Sequence, residues 1–281
     1  MLERRRKIFR DMAQKFIEMV GVTDVGSVRQ YNEDSIAIDP EKGAMALADG
    51  MGGHRAGDVA SRMATEAIFN ELKSHIAEFG NAAGQHSPRL AIYQSIKRAN
   101  KAVYGAAQAN AAYQGMGTTV AVAVFYDNAV ALGHIGDSRI YRLRGKALQL
   151  LTRDDSMLRD QVELGIIAAD DASESHNRSL VTRALGIEEG ISPHIHEEQA
   201  LPDDIFLLCS DGLNDLVDDA DIELIMHSLK SNLTLAAHHL VQTAKDNGGY
   251  DNVSVIIGRV LKPFPAASQQ RWVSRVFGWL R

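Results

Sequence analysis

An α+β fold is predicted for this 281-residue chain by three observations. Short apolar runs broken by Gly, Asn, Asp and Pro indicate strands. Successive strands near the middle of the chain have short connections, which is typical of antiparallel hairpins. Apolar residues at helical spacing occur in separate pairs of segments and do not follow every strand. Hairpins with separate helix pairs favour a layered α+β domain over a parallel doubly wound sheet.

The first half of the chain accounts for two helices and most of the strands. Residues 21–38 and 43–48 read as short strands. One amphipathic helix starts at Gly57, and a second follows the Ser87-Pro88 helix start. Strands are then predicted over residues 118–125, 129–134, 139–144 and 147–151, with tight turns at Asp127-Asn128 and Gly145-Lys146.

The second half begins with a polar, irregular stretch. Residues 152–190 contain one predicted helix at 157–164, and we interpret them as a flap subdomain inserted over a site. A continuous apolar strand at 205–209 ends at Ser210-Asp211-Gly212. The remaining predictions are helices at 219–230 and 233–245, a loop at 246–251, and a final strand at 253–260.

Composition limits the classes of function. The chain is 45% apolar and 23% charged, which fits one large globular domain. Its net charge of −6 gives no basic field for a nucleic acid partner. With Cys209 as the only cysteine, no internal disulfide or cysteine-rich zinc site can form, which fits a reducing compartment and predicts a cytoplasmic protein. The first residues lack the apolar core and cleavage site of a signal peptide.

The two ends are predicted to be appendages of the domain. Residues 1–20 are interpreted as an N-terminal extension, 21–261 as the domain and 262–281 as a C-terminal tail. The tail spaces Trp and other apolar residues among arginines and predicts an amphipathic helix. Packing of this tail on its own domain or on a partner is favoured over association with a membrane surface.

Three aspartates recur in one pattern. Asp49-Gly50, Asp211-Gly212 and Asp251-Asn252 each pair an aspartate with a turn residue at a predicted strand end. Hard cations such as Mg²⁺ and Mn²⁺ prefer oxygen ligands, so carboxylates from several strands predict a metal site. Taken singly, each pair also fits an ordinary turn.

The surrounding sequences resemble the PPM family, the metal-dependent, type two C protein phosphatases, in its bacterial branch. The matching motifs occur in the family's order from about Gly21 to Val260. They are Val25-Gly-Ser-Val-Arg-Gln-Tyr-Asn-Glu-Asp34, Ala48-Asp-Gly-Met-Gly-Gly-His54, Gly115-Met-Gly-Thr-Thr119, Gly136-Asp-Ser-Arg139, Leu180-Val-Thr-Arg-Ala-Leu-Gly186, Cys209-Ser-Asp-Gly-Leu213 and Asp251-Asn-Val-Ser254.

The resemblance implies the fold and the metal ligands. The fold would be two packed antiparallel β-sheets flanked by helix pairs, an α-β-β-α sandwich. Two divalent cations, Mn²⁺ or Mg²⁺, and possibly a third, would activate a water to attack phosphoserine or phosphothreonine without a phosphoenzyme. Asp49 would bridge the metals, with the remaining ligands supplied by Gly50, Asp211, Asp251, Glu33 and Asp34.

Three further residues receive roles by resemblance, with alternatives open. Arg29 matches the phosphate-binding arginine, whose planar fork suits two phosphate oxygens. Asp137 matches a ligand of the third metal in bacterial relatives, although a hairpin-turn aspartate explains it almost as well. His54 is either a general acid or an organiser of its loop, because Met51, Gly52 and Gly53 separate it from Asp49-Gly50.

Residues in or beside the flap are candidates for contacts with acidic substrate segments. Arg178 and Arg183 are the candidates among its arginines, and Ser156 lies near its start; surface solvation is the favoured role for all three. The implied partners are phosphorylated proteins, among them targets of a bacterial serine/threonine kinase. We expect a monomer.

Competing functions leave different signatures. A cysteine-dependent phosphatase needs an arginine six residues after its thiolate, but Asp215 occupies that position after Cys209. A nucleotide-binding loop would end in Lys-Ser or Lys-Thr, whereas Gly50 to Gly53 leads to His54. Two alternatives stay open: a catalytically silent domain that binds phosphoproteins or partners, and a hydrolase of small phosphate esters.

Overall fold

The computed structural model describes residues 16–52, 56–76, 87–167 and 180–263. The strands of this part are β1 Ile17–Asp24, β2 Asp34–Asp39, β3 Ala44–Met51, β4 Gly117–Thr118, β5 Val120–Tyr126, β6 Ala129–Ile135, β7 Arg139–Arg144, β8 Ala147–Leu150, β9 His194–Gln199, β10 Ile205–Cys209 and β11 Val253–Val260. The α-helices are α1 Ala56–Ile76, α2 Pro88–Ala109, α3 Met157–Glu163, α4 Asp211–Asn214, α5 Asp219–Ser228 and α6 Leu233–Asp246. A short 3₁₀ helix covers Ala111–Tyr113.

The strands form two antiparallel sheets. One has five strands in the order β1-β11-β10-β7-β8. The other has six, in the order β2-β3-β5-β6-β9, with β4 paired to β3. The chain changes sheets between β6 and β7, so the turn there lies between the two layers.

Three apolar clusters define four layers. Residues of α1 and α2 pack on the six-stranded sheet, and residues of α5 and α6 pack on the five-stranded sheet. The third cluster lies between the sheets, where the Phe206 and Phe125 rings meet edge to face with centroids 5.1 Å apart. The predicted α+β fold, with two packed antiparallel sheets and flanking helix pairs, is confirmed.

Local signals account for most element boundaries. β10 and β11 have the predicted limits, because their apolar runs are buried on both faces. The Ser87 hydroxyl accepts a hydrogen bond from the N–H of Leu90 and caps α2 as predicted. Asp127 and Asn128 have φ values of 42° and 60°, the conformation that a two-residue hairpin turn requires.

Two of the differences from the prediction concern β1 and β9. β1 starts at Ile17, four residues inside the predicted N-terminal extension, because Ile17 pairs with Val260 and is fully buried. β9 was not predicted, since the sequence His-Ile-His-Glu-Glu-Gln has little apolar alternation. It forms a strand by pairing with the edge of β6, which only the assembled sheet provides.

No helix in these residues is both long and apolar enough to span a bilayer. The predicted C-terminal tail lies almost entirely outside the described residues.

Candidate metal centre

Each of the two sheets contributes two of the predicted site aspartates. Asp34 begins β2 and pairs with Asp49 of β3 in the six-stranded sheet. Asp211 begins α4 two residues after the end of β10, and Asp251 lies two residues before the start of β11, so both are carried by strands of the five-stranded sheet. The packing of the two sheets therefore brings these carboxylates together at one end of the sandwich.

The expected placement at a strand end is wrong for Asp49. It lies inside β3, which continues to Met51 because β4 pairs with Gly50 and Met51. Asp251 lies in the loop before β11, as predicted. The carboxylates nevertheless converge, because antiparallel strands bring the start of one strand beside the end of its neighbour.

The Asp34 carboxylate is held from the opposite sheet. Its Oδ2 accepts a hydrogen bond from the Ser210 hydroxyl at 2.9 Å, and Ser210 in turn accepts from the N–H of Ser254 at 3.0 Å. Asp34 and Asp49 are also direct partners in the β2–β3 pairing, and their carboxylates repel each other. Ser210 therefore belongs to the site. Its motif was recognised in the sequence, but no role was predicted for this residue.

Asp137 joins this group from the turn between the sheets, where it is buried. The Thr119 hydroxyl donates to or accepts from the Ser138 hydroxyl at 2.7 Å, and it accepts from the N–H of Asp49 at 3.0 Å. This link ties the Asp137 turn to the strand that carries Asp49.

Burial and mutual repulsion make these carboxyl groups hard to ionise. Burial raises the pKa of Asp34 to about 6 and that of Asp137 to about 7. It also raises the pKa values of Asp49 and Asp211 well above the usual value, and the neighbouring carboxylates add to both shifts. A cation bound beside such a cluster stabilises the ionised carboxylates.

The donor set fits a hard divalent cation. Oδ1 of Asp34 and Oδ1 of Asp211 are buried and have no hydrogen-bond partner among the residues described. Within this same part of the chain, no three carboxylate, imidazole or thiolate side chains are arranged to hold an ion by themselves. Mg²⁺ and Mn²⁺ fit this arrangement, because they accept one or two carboxylates and retain several waters.

Arg29 lies at the edge of the carboxylate group. Its Nη2 donates to Oδ2 of Asp251 at 2.7 Å, and its side chain is 52% exposed. The ion pair forms beside a site of high negative charge and is not an isolated surface salt bridge. The exposed part of the guanidinium stays accessible to an incoming anion.

Gly50 and Glu33 are packed against the start of α1. The Gly50 N–H donates to the Glu33 carbonyl at 3.1 Å, and a Cβ on Gly50 would lie 2.1 Å from the Gly57 carbonyl oxygen. The Glu33 carboxylate lies against Gly57, and burial raises its pKa. Position 50 therefore has no room for a side chain.

Asn252 organises the loop that carries Arg29, although sequence reasoning assigned it no role. Its Nδ2 donates to the carbonyls of Val25 and Tyr31, both at 2.9 Å, and its Oδ1 accepts from the Glu33 N–H at 2.8 Å. The Asp251-Asn252 pair was the sequence feature that could have indicated this role.

Asp155 joins the base of the flap to the Asp137 turn, and sequence reasoning missed it. This buried carboxylate accepts from the Gly136 N–H at 3.1 Å through Oδ2. Its Oδ1 lies 3.0 Å from His194 Nε2 and 3.4 Å from Arg183 Nη1. Its backbone carbonyl accepts from the Thr182 N–H at 2.8 Å.

The favoured surface-solvation role is wrong for Arg183 and Ser156. Arg183 contacts Asp155, His194 Nε2 at 2.9 Å and the Ser192 carbonyl, so it connects parts of the flap base. Ser156 is buried and caps α3 by accepting from the Arg159 N–H.

Two predicted residues lie outside the described part of the chain, namely His54 and Arg178. Cys209 is fully buried, and this burial raises the pKa of its thiol to about 12. A thiolate nucleophile at this position is therefore excluded.

Known proteins are similar to this chain in sequence. The family model described as protein phosphatase 2C matches residues 26–243. The serine/threonine protein phosphatase PstP from Mycobacterium tuberculosis is 36% identical over 240 residues, which cover 85% of this chain and 44% of PstP. The serine/threonine phosphatase Stp from Listeria monocytogenes is 33% identical over 238 residues, covering 84% of this chain and 92% of Stp.

A solved structure extends the similarity to the fold. The catalytic domain of PstP in complex with two manganese ions aligns with a TM-score of 0.76 and 33% identity, covering 88% of this chain and 99% of that one. This chain therefore spans less than half the length of full PstP but nearly all of its crystallised catalytic domain.

Proposed function

The chain belongs to the protein phosphatase 2C family, and we propose that it is a metal-dependent serine/threonine phosphoprotein phosphatase. The observation that carries the proposal is the group of partly buried aspartates assembled from both sheets beside a half-exposed arginine. Positive charge would neutralise the carboxylates, and Arg29 would meet the phosphate of the substrate.

The residues at the sheet ends would hold the ions. Asp49, whose backbone is fixed by Thr118 and Thr119, would bridge two cations. The other ligands would be Asp211, Asp251, the Gly50 carbonyl, Glu33 and Asp34, with Asp137 available to a third ion. Divalent cations held here supply positive charge to the phosphoryl oxygens and lower the pKa of an attacking water.

The remaining side chains would position the substrate. Arg29 would place its planar fork against two phosphate oxygens, and its bond to Asp251 would fix the side chain beside the metal ligands. Asp34, held by Ser210, would orient water at the reacting phosphorus. His54 is proposed either as the general acid for the leaving oxygen or as an organiser of its loop.

The substrates would be phosphorylated proteins, including targets of a bacterial serine/threonine kinase. The relatives named serine/threonine phosphatases support this class. We further propose a cytoplasmic monomer that does not bind nucleic acid, in keeping with the acidic net charge.

Replacing Asp49 by asparagine tests the bridging role. Asp49→Asn keeps the shape of the side chain and removes the negative charge, so Mn²⁺-dependent release of phosphate from a phosphopeptide should fall at least about a hundredfold. Asp39→Asn, at the opposite end of β2, is the control and should retain activity. Circular dichroism should show that both variants are folded.

Wild-type activity decides between the proposed enzyme and the two alternatives. Mn²⁺-dependent hydrolysis of both para-nitrophenyl phosphate and phosphopeptides is expected. No turnover by folded, metal-loaded protein would favour a silent phosphoprotein-binding domain. Hydrolysis of small esters that phosphopeptides fail to inhibit would favour a small-ester hydrolase.

A further inference from the structure

Two loops run side by side next to Arg29. The Ser27 N–H donates to the Gly249 carbonyl at 2.8 Å, and Arg29 Nη2 bonds Asp251 two residues further along both loops. Val28 and Tyr250 each lie between these two links, one on each loop, next in sequence to Arg29 and to its ion-pair partner Asp251.

The approach of the two loops is built into their backbones. Gly26 has a φ of +79°, and a Cβ there would lie 2.1 Å from the Asp251 carbonyl oxygen, so only glycine allows this contact. Gly248 has a φ of +129°, and a Cβ there would lie 2.6 Å from Tyr250 Cζ. The Tyr250 ring is therefore folded over the backbone of Gly248.

Large apolar surface is exposed on these two loops. Val28 is 62% exposed, Tyr250 is 66% exposed, and Tyr31, two residues beyond Arg29, is 50% exposed. Single exposed apolar residues are common, but here three lie one or two residues from Arg29 or from its ion-pair partner Asp251. The loop backbone that carries them is fixed by Asn252.

We propose that Val28, Tyr250 and Tyr31 form an apolar rim that selects phosphoproteins in which apolar side chains flank the phosphoserine or phosphothreonine. The inference rests on the proposed phosphatase function and deepens it. A phosphate held by Arg29 places the residues on either side of it over this rim. Burying an apolar side chain against Val28 and the Tyr250 ring then lowers KM, while the reacting groups are unchanged.

Two phosphopeptides test the rim. They are identical except that phosphoserine is flanked on both sides by leucine in one and by serine in the other, so their charges match. With Mn²⁺, kcat/KM of the wild type should be about fivefold higher for the leucine peptide, and the difference should lie in KM.

Two variants test whether Val28 and Tyr250 cause the preference for the leucine peptide. The double variant Val28→Ser, Tyr250→Ser should reduce the ratio of kcat/KM values to less than about twofold. The control Leu224→Ser removes an equally exposed side chain, 62% accessible on α5, and should keep the full ratio. Using a ratio cancels any general loss of activity in a variant.

The outcomes separate this inference from the proposed function. Equal hydrolysis of both peptides by the wild type, or an unchanged ratio in the double variant, overturns the rim alone. Failure of the wild type to hydrolyse either peptide with Mn²⁺ overturns the phosphatase function, and the rim with it.

Discussion

Asp137 combines burial with the proximity of other carboxylates, and both oppose its ionisation. Its pKa of about 7 lies above the value of about 3.9 expected in the unfolded chain. The folded metal-free protein therefore binds a proton here more tightly than the unfolded chain does. The stabilisation is complete below about pH 4 and is lost as the pH rises through 7.

Asparagine at this position should remove that pH dependence. In EDTA, the free energy of unfolding of the wild type should fall between pH 5 and pH 8 by roughly 2 kcal/mol more than that of Asp137→Asn. Urea denaturation at the two pH values measures both proteins. Parallel changes in the two would show that Asp137 is ionised in the folded state throughout, and Asp39→Asn should follow the wild type.

The flap depends on a few contacts at its base. Ser156 and Val181 form an isolated bridge, and the Met157 N–H donates to the Leu180 carbonyl at 2.8 Å, so the two described ends of the flap lie together. Asp155 attaches this base to Gly136, next to Asp137. One carboxylate therefore joins the described base of the predicted flap to the turn that carries a proposed metal ligand.

Asp155→Asn should loosen both the base of the flap and the turn that carries Asp137. The amide that replaces one carboxylate oxygen must face a donor, either the Gly136 N–H or Arg183, which leaves a buried donor unpaired at a cost of about 1–3 kcal/mol. We expect faster hydrogen exchange at the Gly136 and Thr182 amides and a higher Mn²⁺ concentration for half-maximal activity.

An exposed aspartate of the same flap provides the comparison for this variant. Asp160 in α3 forms an ion pair with Arg153 near the surface. Asp160→Asn should change stability by less than about 0.5 kcal/mol and leave the Mn²⁺ dependence unaltered. Equal effects of the two substitutions would argue against a specific role of Asp155.

At the level of the whole sandwich, the site exists only because the sheets are packed together. Asp34 and Asp49 come from one sheet, while Asp211 and Asp251 come from the other. Phe206 is fully buried between the sheets and meets the Phe125 ring. The packing between the two sheets therefore also holds the carboxylates close together.

Phe206→Ala should destabilise the protein by about 3–5 kcal/mol, because it leaves a cavity between the sheets. Saturating Mn²⁺ should recover part of the loss, since ions bound only by the folded site favour folding. Urea denaturation with and without Mn²⁺ measures both effects. Leu224→Ala, at an exposed position, should change stability by less than about 0.5 kcal/mol, and a similarly small effect of Phe206→Ala would contradict the interlayer role.

Local sequence predicted elements best where burial is uniform. β10 and β11 have the predicted limits because a strand buried on both faces is a continuous apolar run. β9 could not be found in this way, because its partner β6 decides that it is a strand. The same reason explains β1, whose first residues are fixed by pairing with the end of β11.

The same distinction between local sequence and tertiary pairing applies to the site. The sequence by itself determined the fold class, the motifs and the aspartates, because periodicity and ordered motifs are local properties. Tertiary structure alone decided that Asp34 faces Ser210, that Asp155 holds the Asp137 turn, and that the loops carrying Val28 and Tyr250 are joined beside Arg29. These contacts join residues of separate sheets and loops, and no local pattern encodes a distance that only the packing of the two sheets creates.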